Sequence, residues 1–210
     1  MKKLLVLLFS IFLLSSPSVF ADDISDFEIE GIGIGDSLLD YMTEDEILAE
    51  IKISISANDN HYLSEPLKYL DVYLKKDFQV YKDGMSFMIK NNITNKYISN
   101  SNEKFNILLV RGKINYIEDF DGCIQQRDEI VKMLNKMFPN LKKKEAIFPH
   151  PSDSSGNSKI DGVYFYFDSG GDVSTWCTDY EETFRVKNNM SEGFNIAITS
   201  AEVINWLEDY

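Results

Sequence analysis

The chain is 210 residues long and carries 34 acidic against 21 basic side chains, a formal net charge of −13 at pH 7. That surplus repels phosphate backbones and anionic lipid, which argues against nucleic-acid and membrane-surface partners. Two histidines and two cysteines in the whole chain are a poor supply of zinc ligands, and no metal or cofactor is expected.

Met1-Lys2-Lys3, the apolar run Leu4 to Leu14 and the small residues of Val19-Phe20-Ala21 compose a secretory signal peptide over 1–21, cleaved before Asp22. The apolar run is far shorter than the roughly 20 residues a bilayer span needs, and no later stretch supplies one. Export makes the chain periplasmic or secreted. It leaves 22–210 as a single domain with room for a sizeable core. In an oxidising compartment the two cysteines, Cys123 and Cys177, most economically form one disulfide.

After the polar start Asp22 to Asp26, the residues Phe27, Ile29, Ile32 and Ile34 suggest a short edge strand. Gly35-Asp36-Ser37 then leads to a helical turn at Leu38, Leu39 and Tyr41. Thr43-Glu44-Asp45-Glu46 is a capping box for a short helix through about Glu50. Ile51 to Ile55 reads as a strand or a helix tail, and Asn58-Asp59-Asn60 as a turn. Tyr69 to Val80 is rich in aromatic and aliphatic residues, interrupted at Lys75-Lys76-Asp77. Asp83-Gly84 turns the chain into a strand at Met85 to Ile89, and Asn91 to Glu103 is an exposed loop. Phe105 to Arg111 and Lys113 to Ile117 read as two strands around Gly112. Everything to this point forms a first sheet layer.

The spacing of Phe120, Cys123, Ile124, Ile130, Val131, Leu134, Met137 and Phe138 predicts an amphipathic helix from about Asp119 to Phe138. Asp119 or Asp121 caps it, and Pro139 ends it. Lys142 to Asp161, polar and with two prolines, reads as a surface excursion. From Ile160 to Thr178 the pattern changes to twos, a hairpin about Asp168-Ser169-Gly170-Gly171-Asp172. Val163, Phe165 and Phe167 face one way with Val173, Thr175 and Cys177. Tyr164, Tyr166, Ser174 and Trp176 face the other. Cys177 then looks at the helix stripe that holds Cys123. Phe194 to Ile198 is a last strand, and Ser200 caps a final helix with Val203, Ile204 and Leu207. The expected fold is α+β: an antiparallel sheet with a long amphipathic helix and a C-terminal helix packed on it, tied by one disulfide.

The chemistry-bearing residues are sparse. His61 and His150 both lie in turn-like surroundings. Ser152, Ser154 and Ser155 crowd near His150, but no G-x-S-x-G elbow is present. Gly31, Gly33 and Gly35 have the wrong spacing for a dinucleotide loop. Asp168 and Asp172, with Asp153 or Asp161, could serve as calcium ligands or as a glycosidase pair, but no EF-hand spacing accompanies them. Asn92-Ile93-Thr94 and Asn189-Met190-Ser191 match glycosylation sequons. Tyr164, Tyr166 and Trp176 form an aromatic platform if uncovered, suited to a sugar, peptide or protein. If the N-terminal half packs over them they are ordinary core, which is the preferred reading.

The layout resembles that of small exported bacterial proteins of unknown function. The residues that carry the resemblance are Phe27 with Ile32-Gly33-Ile34-Gly35-Asp36-Ser37-Leu38-Leu39-Asp40-Tyr41, the stretch Asp121 to Ile130 around Cys123, and the segment Asp153 to Cys177. Gly35-Asp36-Ser37-Leu38 is also similar to the opening of small periplasmic α+β adaptor and inhibitor domains. Neither resemblance implies an activity. The expectation is a soluble exported domain that binds a protein, peptide or small molecule and has no catalytic residue; the alternative is a carboxylate-dependent envelope hydrolase.

Overall fold

The computed structural model describes residues 24–57, 63–74, 76–94 and 96–208. The expected signal peptide, the expected turn at Asn58 to Asn60, Lys75 and His61 lie outside the described residues. An α+β fold is observed, built on one seven-stranded antiparallel sheet. A two-residue hairpin, β1 (Glu28–Ile29) and β2 (Ile32–Gly33), opens the domain and is followed by α1 (Glu44–Ala57). Then come β3 (Tyr69–Leu74), β4 (Gly84–Lys90), β5 (Leu109–Asn115) and α2 (Phe120–Met137). The chain continues with β6 (Lys142–Pro149), β7 (Lys159–Tyr166), β8 (Asp172–Asp179), α3 (Glu182–Asn188), β9 (Gly193–Thr199) and α4 (Ala201–Glu208). The strand order is β3-β4-β5-β9-β8-β7-β6. The first three strands therefore do not form a layer of their own. The last strand, β9, closes the gap between β5 and β8 and makes one sheet of both halves.

Each face of that sheet is covered differently. Alternation puts Phe87, Val110, Val163, Phe165, Val173, Phe194 and Ile198 on one face, where they join Cys123, Ile130 and Leu134 of α2 and Ile47 and Ile51 of α1 in the main core. The helix α2 begins where Asp119 accepts from the Gly122 amide at 3.0 Å, which satisfies one of its open N–H groups. It packs on β8 and β9, and Cys123 is bonded to Cys177 with the two Cα atoms 6.0 Å apart. On the other face α4 packs over the β3–β5 end, and Glu208 at its end acts through space on Tyr166 of β7. There Val203 and Trp206 meet Tyr69, Met88 and Leu109, and the Trp206 indole donates to the Glu65 carbonyl at 3.0 Å.

Three expectations need correction, and one helix went unforeseen. Residues 44–57 are one helix; its capping box forms as expected, the Glu46 carboxylate accepting from the Thr43 amide at 2.9 Å. The apolar spacing of Ile47 and Ile51, both fully buried, continues the helix past Glu50. Gly112 does not divide two strands, because β5 runs straight through it. The Tyr81 ring lies flat on that glycine, and a Cβ there would stand 2.6 Å from the ring. Residues 142–149 are not an excursion but the edge strand β6, paired residue for residue with β7. An edge strand exposed on both faces needs no apolar alternation, and its lysines guard against edge-to-edge association. The short helix α3 left no periodic signal; Glu181 caps it by accepting from the Phe184 amide at 2.7 Å.

Candidate ligand-binding face

The β7–β8 hairpin forms as the alternation predicts, and its register fixes what meets what. Tyr166 stands opposite Asp172, Tyr164 opposite Ser174, and Gly162 opposite Trp176. The odd-numbered Val163 and Phe165 enter the main core, so Tyr164, Tyr166 and Trp176 point to the face that α2 does not touch. There all three are half-buried, and none belongs to either apolar cluster. Of the N-terminal half, α1 and the β1–β2 hairpin join the main core on the opposite face and do not cover these rings. The Tyr164 and Tyr166 rings are nearly parallel, 17° apart in plane with centroids 6.5 Å apart. Tyr164 can lie down because position 162 is glycine: a Cβ there would meet its hydroxyl oxygen at 2.9 Å. Its polar end is thereby carried toward the strand position paired with Trp176.

Charges of both signs border the rings: Asp172 and Glu208 act on Tyr166 through space, and cations lie on either side. Lys142 sits 6.0 Å from the Tyr166 centroid, and Lys144 is the exposed neighbour of Tyr164 on β6. On the other side the Arg111 guanidinium packs 5.9 Å from the Trp176 centroid. The Arg111 Nε is buried and has no hydrogen-bond partner among the described residues. Lys113, two residues further along β5 and on the same face, donates to the Ser191 carbonyl at 2.9 Å. Burial holds its ammonium below the ordinary lysine value; Asp83 opposes that shift and Arg111 adds to it. Asn195 separates Lys113 from Trp176 in the register of β9. Sequence reasoning missed Arg111, Lys113, Gly162 and the flanking lysines. The signal was available in Leu109-Val110-Arg111-Gly112-Lys113, where two cations recur at a spacing of two inside an apolar strand.

Asp172 is 5 % exposed, and its Oδ1 has no hydrogen-bond partner among the described residues. Burial pushes its carboxyl up to about 6, against a hydrogen bond with Thr199 that lowers it. The unfolded carboxyl titrates near 4, so the folded state holds this proton more tightly. The stability contributed by that proton is complete below about pH 4 and lost as pH rises through about 6. Asp172→Asn should therefore stabilise the chain at pH 7 by about 2 to 3 kcal/mol and flatten its pH dependence between 4 and 7. Urea unfolding at several pH values checks this; a variant that keeps the wild-type slope would assign the titration to another group. Burial also raises the Tyr164 phenol to about 12, with Asp172 and then Tyr166 adding to the effect, so it remains a neutral donor.

The other candidates are held apart. Asp161 pairs with Arg127 of α2 on the helix face, opposite to Asp172. Asp168 is exposed at the hairpin turn. Asp153 is kept down at about 2, first by the Ser158 hydroxyl and then by Ser155, which bind its oxygens inside a loop. His150 accepts from the Ser152 amide through Nδ1 at 3.2 Å, so its Nε2 carries the hydrogen and faces the Tyr180 hydroxyl at 3.1 Å. That histidine meets neither a serine hydroxyl nor a carboxylate in the manner of a triad. Among the described residues no three His, Cys, Asp or Glu side chains gather as metal ligands. A cleft of about 870 Å³ lies between α4 and residues 96–99, lined in part by Lys68, Lys90 and Trp206. Its charges are already matched: Lys90 binds Glu103 at 2.9 Å and Glu202 at 3.6 Å, and Lys96 binds Glu65 at 3.1 Å.

The molecule is thus a disulfide-bonded α+β domain with one sheet face of aromatic and basic side chains. No protein-family model, curated protein or solved structure matches the chain.

Proposed function

We propose that the chain is an exported domain, cleaved before Asp22 and working in the periplasm or outside the cell, that acts by binding and performs no chemistry of its own. The observation that carries this reading is the placement of Tyr164, Tyr166 and Trp176 on a face that neither α1 nor α2 covers, with Arg111 beside them lacking a carboxylate partner among the described residues. Buried rings reward a core; half-buried rings at a sheet surface reward a ligand. The disulfide suits an oxidising compartment. Among the described residues no helix is long and apolar enough to cross a membrane. The rival hydrolase reading needs two carboxylates aimed at one bond, and Asp161 and Asp172 point to opposite faces of the sheet.

The test uses the oxidised 22–210 chain immobilised against envelope extract. Tyr164→Ala combined with Trp176→Ala should lower the affinity for whatever the wild type retains by at least about tenfold. Near-UV circular dichroism and disulfide content should stay unchanged. Undiminished retention by a folded double variant would remove this face as the binding surface.

A further inference from the structure

We infer that the ligand of this face is an anionic saccharide whose charged group seats at Arg111 and Lys113 while its ring stacks on Trp176 and Tyr164. The inference deepens the binding function proposed above and rests on it.

Charge complementarity is the first ground. Of the chain's three arginines, Arg127 is paired with Asp128 and Asp161, and Arg185 with Glu118, Glu182 and Glu192. Arg111 alone of the three has no ion pair among the described residues. It packs on an indole, with its Nε buried and unpartnered, in a chain whose acids outnumber its bases by thirteen. An unmatched, partly desolvated guanidinium is costly unless an anion completes it. Lys113 lies on the same side of β5, about 7 Å away along the strand. Asp83, which acts on Lys113 through space, already accepts from the Asn115 amide at 2.8 Å. A fork of planar donors beside a point charge suits the oxygens of one carboxylate, sulfate or phosphate group.

The shape of the face selects the rest of the ligand. The strands under it, β5, β9, β8 and β7, each have neighbours on both sides, so their main-chain groups are already used. An extended peptide would find no ladder to join. What the face offers is ring planes with few polar atoms between them: the phenol of Tyr164 and the amide of Asn195, which also donates to the Gly193 carbonyl at 3.4 Å. A pyranose presents the matching pattern, an apolar C–H face edged by hydroxyls. A long polyphosphate would also meet the acidic remainder of the chain, whereas a short saccharide with few charges would not.

Titration of the oxidised 22–210 chain, followed by tryptophan fluorescence, tests this with defined probes: a galacturonate trimer, a sulfated heparin disaccharide, glucose 6-phosphate, neutral maltotriose, inorganic sulfate and poly-glutamate. At least one anionic sugar should bind with a dissociation constant below about 1 mM, weaken with added salt and outcompete both maltotriose and sulfate. Arg111→Gln and Lys113→Gln should each cost about tenfold or more, with Arg111→Lys intermediate because it keeps charge and loses the fork. Trp176→Phe should abolish the fluorescence response. Equal binding of maltotriose, tighter binding of poly-glutamate, or no anionic sugar bound below that concentration would overturn the saccharide. If that occurs while the ring variants still lose retention from envelope extract, the binding face stands and only its ligand class falls. If the ring variants retain material normally, both readings fall together.

Discussion

Replacing Cys123 and Cys177 together by alanine should lower the unfolding free energy by about 4 kcal/mol, the loop-closure entropy of a 54-residue separation. The bridge joins α2 to β8, and β8 lies beside β9, the strand that unites the two halves of the sheet. An open chain must find this pairing by diffusion, so the link acts chiefly by narrowing the unfolded ensemble. Alanine is the appropriate replacement because both sulfurs are buried, Cys123 at 1 % and Cys177 at 0 % exposure, and serine would strand a hydroxyl there. With a urea slope of about 2 kcal/mol per molar, the midpoint should fall by about 2 M. The same burial means that a reductant should leave the bridge intact under native conditions and cleave it rapidly once urea opens the fold. A double variant within about 1 kcal/mol of the wild type would show that the unfolded chain already holds these segments together.

The parts of this fold that could be read in advance are those whose periodicity is dictated by a single buried face. Between Phe120 and Phe138 the helix has one apolar side, and the hairpin alternates strictly because one side meets that helix. Their facing sides place Cys123 against Cys177. The failures have the opposite cause. Residues 142–149 form a strand whose partners lie on one edge only and whose faces are both open, so neither period nor hydrophobicity marks it. Its pairing with β7 is a tertiary fact. The continuity of β5 depends on Tyr81, thirty-one positions away in sequence from Gly112, lying on that glycine. The position of β9 between β5 and β8 depends on the order in which strands find partners, and local pattern is silent on that.

The binding face was half legible for related reasons. Alternation assigned Tyr164, Tyr166 and Trp176 to one side of the hairpin, as the register confirms. It could not say whether that side would be covered, because coverage depends on which face α1 and the β1–β2 hairpin choose. Arg111 joins the rings only through the register of three further strand pairs, Arg111 with Ala197, Ala197 with Ser174, and Ser174 with Tyr164. A residue brought in across that many ladders has no sequence neighbour to announce it. The unmatched guanidinium is therefore a property of the assembled sheet.

The same central position of β9 makes its first residue unusually intolerant of change. Gly193→Ala should destabilise the chain by at least about 3 kcal/mol, more than a conformational penalty of about 1 to 3 kcal/mol alone would typically give. Gly193 has φ +148, a region that side chains rarely enter. A Cβ there would stand 2.2 Å from the Ile114 carbonyl oxygen and 2.9 Å from the Tyr116 amide nitrogen. Those obstacles are backbone, so relief requires β5 and β9 to part where Asn115 faces Gly193 and Ile114 faces Phe194. The preceding residue would move with them. Glu192, 6 % exposed, accepts from the Glu118 amide at 2.9 Å and from the Tyr180 amide at 3.1 Å, tying the approaches to α2 and α3 to this corner. Gly31 supplies the control: it also has a positive φ, +76, but no atom lies within 4 Å of its would-be Cβ. Gly31→Ala should cost about 1 kcal/mol, the conformational penalty alone. Urea midpoints of the two variants, measured side by side, separate strain from collision. Equal midpoints would mean that β5 and β9 yield freely at this corner, and that the sheet is not locked by its last strand.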